Sequence, residues 1–199
     1  MKLNEGLEAL GTDEHPGGND WCGVFEGSAV EHIKLPSSLR RIEYSTFSYC
    51  KNLKNIRLPE RLGYIGKQCF KESALESIIL PPTLKVIEES TFYVCENLKS
   101  VRLSEGLEKI GISAFFRSGL ESVEFPTSLR TVSQAAFAKC KRLKTVTFGE
   151  GLKTLGTEEY GEGHKMYYGA FEESSVKQVK LPSTLNKIEY SAFQNCSEL

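Results

Sequence analysis

One motif returns along the whole chain, and nothing else in the sequence constrains the fold as tightly. Leu53-Lys-Asn-Ile56-Arg-Leu58-Pro59 recurs as Leu75-Glu-Ser-Ile78-Ile-Leu80-Pro81, as Leu98-Lys-Ser-Val101-Arg-Leu103 and as Leu120-Glu-Ser-Val123-Glu-Phe125-Pro126. With the central aliphatic as marker (Ile33, Ile56, Ile78, Val101, Val123, Val146, Val179) the spacings are 23, 22, 23, 22, 23 and 33 residues. A fixed period of this size marks a solenoid, in which a unit buries its apolar face only against its neighbours. Two unit types alternate, and one carries an insertion of about eleven residues.

Each unit reads L-x-x-I-x-L-P-x-x-L-x-x-I-x-x-x-A-F-x-x-C. The aromatic recurs at Phe25, Phe47, Phe70, Phe92, Phe115, Phe137, Phe171 and Phe193. Three residues later Ser28, Cys50, Ser73, Cys95, Ser118, Cys140, Ser174 and Cys196 alternate. A period of 22–23 around L-x-x-I-x-L lies in the leucine-rich repeat range. Within that core, alternation sends Ile33 and Leu35 to one face and His32 and Lys34 to the other. Stacked rungs then pair as a parallel sheet about 4.8 Å apart, and Pro36, Pro59, Pro81, Pro126 and Pro182 end the strands. The stretch Ser45–Cys50 has room for about one or two helical turns on the convex side, with Phe47 plugging the interior. The expected fold is therefore α/β: a right-handed β-α leucine-rich repeat solenoid of about eight rungs, a single domain over 1–199, with its parallel sheet on the concave face.

The alternation of long and short units, the A-F-x-x-C signature and the L-P after the strand make the chain resemble the BspA-like, treponemal-type leucine-rich repeat family over nearly all its length. Departures are Ser104 and Gly149 in place of Pro, Cys69 at the Ala position, and two insertions, at 12–23 and 157–169. The resemblance implies a non-catalytic adhesion module of a bacterial or protist cell-surface or secreted protein. Its partner would be a protein or peptide, a host extracellular protein among the candidates. A structural spacer in such a protein and a cytoplasmic interaction scaffold are the alternatives, since a fold does not fix a function.

Residues 3–53 resemble 148–199 more closely than the units between, so an insertion-bearing unit recurs every six rungs. Met1 stands where Val146 does, Leu199 opens another strand, and neither end carries a polar cap. The expectation is a fragment of a longer array, with end-to-end self-association open to its uncapped ends.

Chemistry-bearing residues point away from catalysis. Net charge is −1, from 25 Lys+Arg and 26 Asp+Glu, which disfavours a nucleic-acid groove. No apolar run reaches the length of a membrane span. Cys50, Cys95, Cys140 and Cys196 recur on alternate rungs, about 10 Å apart and beyond disulfide reach; they read as buried small thiols beside backbone groups. Cys22, beside Trp21, is the one candidate for an exposed thiol. His15 and His164 sit near acidic residues in the insertions, but follow no calcium-loop spacing. The sequence thus gives no catalytic residue, cofactor site or metal site.

What remains is surface. Glu31, Lys54, Glu76, Lys99, Glu121, Lys144 and Lys177 form a largely alternating charge row from which rung-to-rung ion pairs are expected. The concave stripe supplies the candidate partner-binding residues His32, Lys34, Asn55, Arg57, Ile79, Arg102, Glu124 and Lys180, interspersed with small polar residues. The insertions add Trp21, Tyr160, Tyr167 and Tyr168, either as interface anchors or as a cover for the solenoid's side.

Overall fold

A computed structural model describes residues 1–12, 23–156, 168–189 and 191–199. Two sets of short strands run in parallel from rung to rung. The face strands, centred on the first aliphatic of the motif, are Ser77–Ile79, Ser100–Arg102, Ser122–Glu124, Thr145–Thr147 and Gln178–Lys180. Their register follows the repeat: Ile78 lies opposite Val101, and Val123, Val146 and Val179 stand in line. In each of these strands the middle residue turns inward and its two neighbours face solvent. The row is not one unbroken sheet. Strand pairing lapses between Ser100–Arg102 and Ser122–Glu124, where the Glu121 N–H still donates to the Lys99 carbonyl at 3.2 Å. In the earlier rungs the face is carried by an isolated bridge between Lys2 and Lys34 and by strandless extended chain at 54–58.

The second set was not expected. Two-residue return strands at the second Ile position (Ala9–Leu10, Arg41–Ile42, Tyr64–Ile65, Val86–Ile87, Lys109–Ile110, Thr131–Val132, Thr154–Leu155 and Lys187–Ile188) form two further parallel ladders, the first three strands in one and the last five in the other. Their partners are again rung neighbours, as in Leu10 with Ile42 and Ile110 with Val132.

The helical turns expected after these strands do not form: among the described residues there is no helix. The stretch Ser45–Cys50 runs as successive turns because Ser45 (φ 49°) and Tyr49 (φ 58°) are left-handed, a conformation that ends a right-handed helix. Gln68 with Glu72, Ser90 with Val94, Ser113 with Arg117 and Ala135 with Lys139 repeat the pair. The hydrogen bonds explain why this wins. The Thr46, Ser48 and Cys50 N–H groups bond within the rung, to the carbonyls three residues back (3.4, 3.0 and 3.4 Å). The Ser45, Phe47 and Tyr49 N–H groups instead reach the next rung, to Lys67, Cys69 and Lys71 (3.1, 2.8 and 2.7 Å). A helix would use every N–H inside one rung; turns leave every second one free to tie the rungs together. The rungs are therefore cross-linked by backbone bonds on three sides, and the β-α description gives way to strands and turns.

One apolar core runs the length of the stack. Its centre is a single column of rings: Phe25, Phe47, Phe70, Phe92, Phe115, Phe137, Phe171 and Phe193 lie 5.0–5.5 Å apart, centroid to centroid, with planes within 12°. Phe137 and Phe171 are 5.1 Å apart although the second insertion lies between them in sequence. The ring column is therefore not interrupted between those two rungs. Both insertions are bracketed alike. Gly11 (φ 100°) and Gly156 (φ 80°) stand before them. After them Gly23 and Gly169 pass so close to the next rung that a Cβ would fall 1.9 Å from the Ser45 carbonyl oxygen and 1.8 Å from that of Ser191. Each of those closing glycines donates its N–H to a carboxylate three residues on, Glu26 (3.1 Å) and Glu172 (2.8 Å).

The charge row mostly fails to pair. Lys54 meets Glu76 at 3.8 Å, while Lys177 turns to Glu198 (2.8 Å). The other close pairs lie off that row, such as Lys67 with Glu89 (3.1 Å), Lys85 with Glu108 (3.4 Å) and Arg117 with Glu96 (2.8 Å). Exposed pairs of this kind are worth about 0–1 kcal/mol, too little to hold long side chains in a row against solvent.

Candidate recognition face

The ladder cysteines are held inside the stack. Cys50, Cys95, Cys140 and Cys196 each donate the thiol to the carbonyl of the phenylalanine one rung back (Phe25, Phe70, Phe115, Phe171) at 3.0–3.1 Å. The alternating serines, Ser28, Ser73, Ser118 and Ser174, lie 3.3–3.7 Å from the same sulfurs. Burial pushes the Cys95 thiol up to about 12 and Cys140 to about 11, and raises Cys50 and Cys69 as well. These are protonated structural donors, as their place beside Ser in the repeat implied. Cys22, with His15 and His164, lies outside the described residues.

The concave stripe divides into two rows. Positions before the central aliphatic are His32, Asn55, Ser77, Ser100, Ser122, Thr145 and Gln178, all exposed and uncharged or nearly so. Positions after it are Lys34, Arg57, Ile79, Arg102, Glu124, Thr147 and Lys180, and also exposed. Four of the predicted residues come together. Asn55, Arg57, Ile79 and Arg102 line one groove of about 820 Å³, open to solvent. Ile79 lines it and is 63% exposed, an aliphatic side chain where the other rungs place polar or charged ones. Lys34 joins Arg57 in a neighbouring groove of about 580 Å³. His32 is exposed one residue from that groove, and its carbonyl accepts from the Met1 amino group at 2.8 Å. Glu124 and Lys180 stand further along the face and line neither groove.

Of the aromatic loop residues only Tyr168 is described, and it lines neither groove of this face. Trp21, Tyr160 and Tyr167 lie outside the described residues. Tyr168 is half-buried on the turn side, against a small cluster of Phe116, Ala135 and Ala138. Its ring lies 4.5 Å from the Lys139 ammonium, whose pKa is raised by the Tyr168 hydroxyl. Tyr168 thus covers the side of the stack.

The groove also contains residues that the sequence did not single out, and they form a second irregularity on the same rung. Elsewhere a glutamate after one face segment caps the corner of the next rung. Glu5 accepts from the Ser37 N–H and hydroxyl (both 3.1 Å), Glu105 from those of Thr127 (both 3.1 Å) and Glu150 from those of Ser183 (3.0 and 2.9 Å). Glu60 occupies this place one rung before Pro82, which has neither an N–H nor a hydroxyl to offer. The Glu60 carboxylate and Pro82 are instead exposed at the groove's edge. Neither Arg57 nor Arg102 has an ion pair or side-chain hydrogen bond among the described residues. Among those residues no cluster of three metal-ligating side chains occurs, and no helix is long and apolar enough to cross a membrane.

Comparisons with known proteins agree with this geometry. The chain is similar to a leucine-rich repeat protein from Bacteroides ovatus, with 24% identity, a TM-score of 0.72, and coverage of 100% of this chain and 53% of that one. A leucine rich repeat protein of T. pallidum matches at 26% identity and a TM-score of 0.60, covering 73% of this chain and 77% of its own. A leucine-rich repeat protein from Eubacterium ventriosum matches at 20% and 0.58, covering 80% and 41%. The chain thus spans about half the length of the Bacteroides ovatus protein. No curated protein matches it. The BspA type leucine rich repeat region matches residues 22–144 and 108–199 in 6 copies. On that match, and with the repeat, the ring column and the parallel ladders in register with it, the chain belongs to the BspA type leucine rich repeat family.

Proposed function

We propose that the chain is a non-catalytic recognition module that holds a protein or peptide on its concave face, as part of a cell-surface or secreted protein engaged in adhesion. Leucine-rich repeats of this family are generally interaction modules, and a stack that exposes side chains in regular rows suits that use. The observation that carries the reading is the groove around Ile79, where an exposed aliphatic side chain is flanked by unpaired guanidinium groups. Exposed apolar surface rimmed by polar groups is the usual mark of a contact site. A host extracellular protein is the partner class to try first; cytoplasmic scaffolding is the alternative setting.

The test is capture of extracellular-matrix and cell-surface proteins by the immobilised chain. Binding should be saturable and should vanish when Ser100→Trp and Thr145→Arg block the face, while Lys51→Ser on the opposite side leaves it intact. A spacer role replaces this reading if adhesion of the full-length protein survives every substitution on the face.

A further inference from the structure

Resting on that reading of the face, the structure assigns its groove a partner of definite chemistry: we infer that the Arg57–Ile79–Arg102 groove takes an acidic peptide segment carrying a central aliphatic side chain. Two departures from the repeat fall on one rung and meet in space. Ile79 replaces the polar or charged residue that the other rungs present, and Pro82 replaces the hydroxyl residue that elsewhere receives a glutamate. Neither change helps the stack, since Ile79 is 63% exposed and Pro82 leaves Glu60 without its corner bond. Together they make an apolar patch among the polar and charged side chains of the neighbouring rungs.

The charges around the patch give the sign of the partner. Arg57 and Arg102 stand one rung to either side of Ile79, about 10 Å apart at the rung spacing. An extended peptide advances about 3.3 Å per residue, so carboxylates on both sides of a seated aliphatic residue come within reach of both guanidinium groups. Over the two adjoining grooves the cations are Lys34, Arg57, Arg61 and Arg102, against the carboxylates of Glu5 and Glu60. Glu5 is already held by Ser37, so the free field is positive. Arginine also suits carboxylate better than lysine does, through paired, coplanar N–H donors.

The probe is a short fluorescein-labelled peptide with a leucine between pairs of glutamates. Two analogues accompany it, one with glutamines for the glutamates and one with serine for the leucine. Fluorescence anisotropy against the intact chain should show binding by the parent peptide alone, weakening steeply as salt rises. Arg57→Glu with Arg102→Glu should weaken it by about tenfold or more, Ile79→Ser should weaken it severalfold, and Arg142→Glu, a charge reversal elsewhere on the surface, should not change it. All four positions are exposed, and an unchanged melting temperature checks that each variant folds. Equal binding of the glutamine analogue, or undiminished binding by the double variant, overturns the inference. If no acidic peptide binds while the chain still captures a protein through its face, this inference falls and the recognition-module reading stands.

Discussion

A single atom type shows how the repeat chooses its residues. The thiol of each long rung donates to a phenylalanine carbonyl one rung back, at 3.0–3.1 Å, while serine fills the equivalent place in the short rungs. Cysteine suits the spot because its sulfur fills apolar space and still offers one proton. The consequence is chemical silence: iodoacetamide at pH 8 should leave Cys50, Cys69, Cys95 and Cys140 unmodified in the native chain and label all of them in urea, read by mass spectrometry. The same burial makes stability pH-dependent. Below pH 9 both native and unfolded thiols hold their protons, so the contribution is complete. Between 9 and 12 the unfolded Cys95 thiol ionises while the native one, at about 12, does not, and stability falls as pH rises. Urea melts should show that slope flattened in Cys95→Ser. This much could be read from the sequence, because the Cys/Ser alternation names a buried, small, hydrogen-bonding place. What Glu60 and Pro82 do together could not, since each looks ordinary alone and the missing corner bond exists only between rungs.

At the level of elements, the column of rings is the part of the fold that spacing alone announced, and the turns beside it are the part that spacing misread. A phenylalanine every 22 or 23 residues, and 34 across the second insertion, has to stack if rungs stack. By contrast, nothing in Ser45-Thr-Phe-Ser-Tyr-Cys50 shows that Ser45 and Tyr49 are left-handed. That preference comes from the neighbouring rung, whose carbonyls claim every second N–H. The return ladder was hidden for a similar reason, as two residues per rung are too few to show alternation. Truncation should rank the column by depth: Phe115→Ala, fully buried between two stacked rings, should cost about 3–5 kcal/mol, and Phe25→Ala, half-buried at one end, less than half as much, both measured by denaturant titration. Gly169→Ala should be costly out of proportion to one methyl group, because its Cβ would collide with the Ser191 carbonyl. Thermal melting should place it well below the wild type, whereas Gly63→Ala, with open space around it, should melt within a few degrees of it.

For the molecule as a whole, cohesion is strictly between neighbours, so stability should be graded along the stack rather than shared evenly. Ile110 and Val132 are fully buried in the return ladder, while Ile188 in the last return strand is 47% exposed. Native-state hydrogen exchange should therefore protect amides at 110–133 most and those at 187–189 least, with intermediate rungs in order. Uniform protection would mean that the stack unfolds as one unit. The same locality separates two kinds of change. Where an insertion is bracketed by a pair of glycines and the rings on either side of it in sequence still stack, its length enters the folding balance mainly as closure entropy, about 0.6 kcal/mol for each doubling. Phe137 and Phe171 meet at 5.1 Å regardless of what lies between them. A lineage of such proteins is thus free to rewrite the segments between such glycines, in length and in chemistry, while the internal stack that every descendant inherits stays the same.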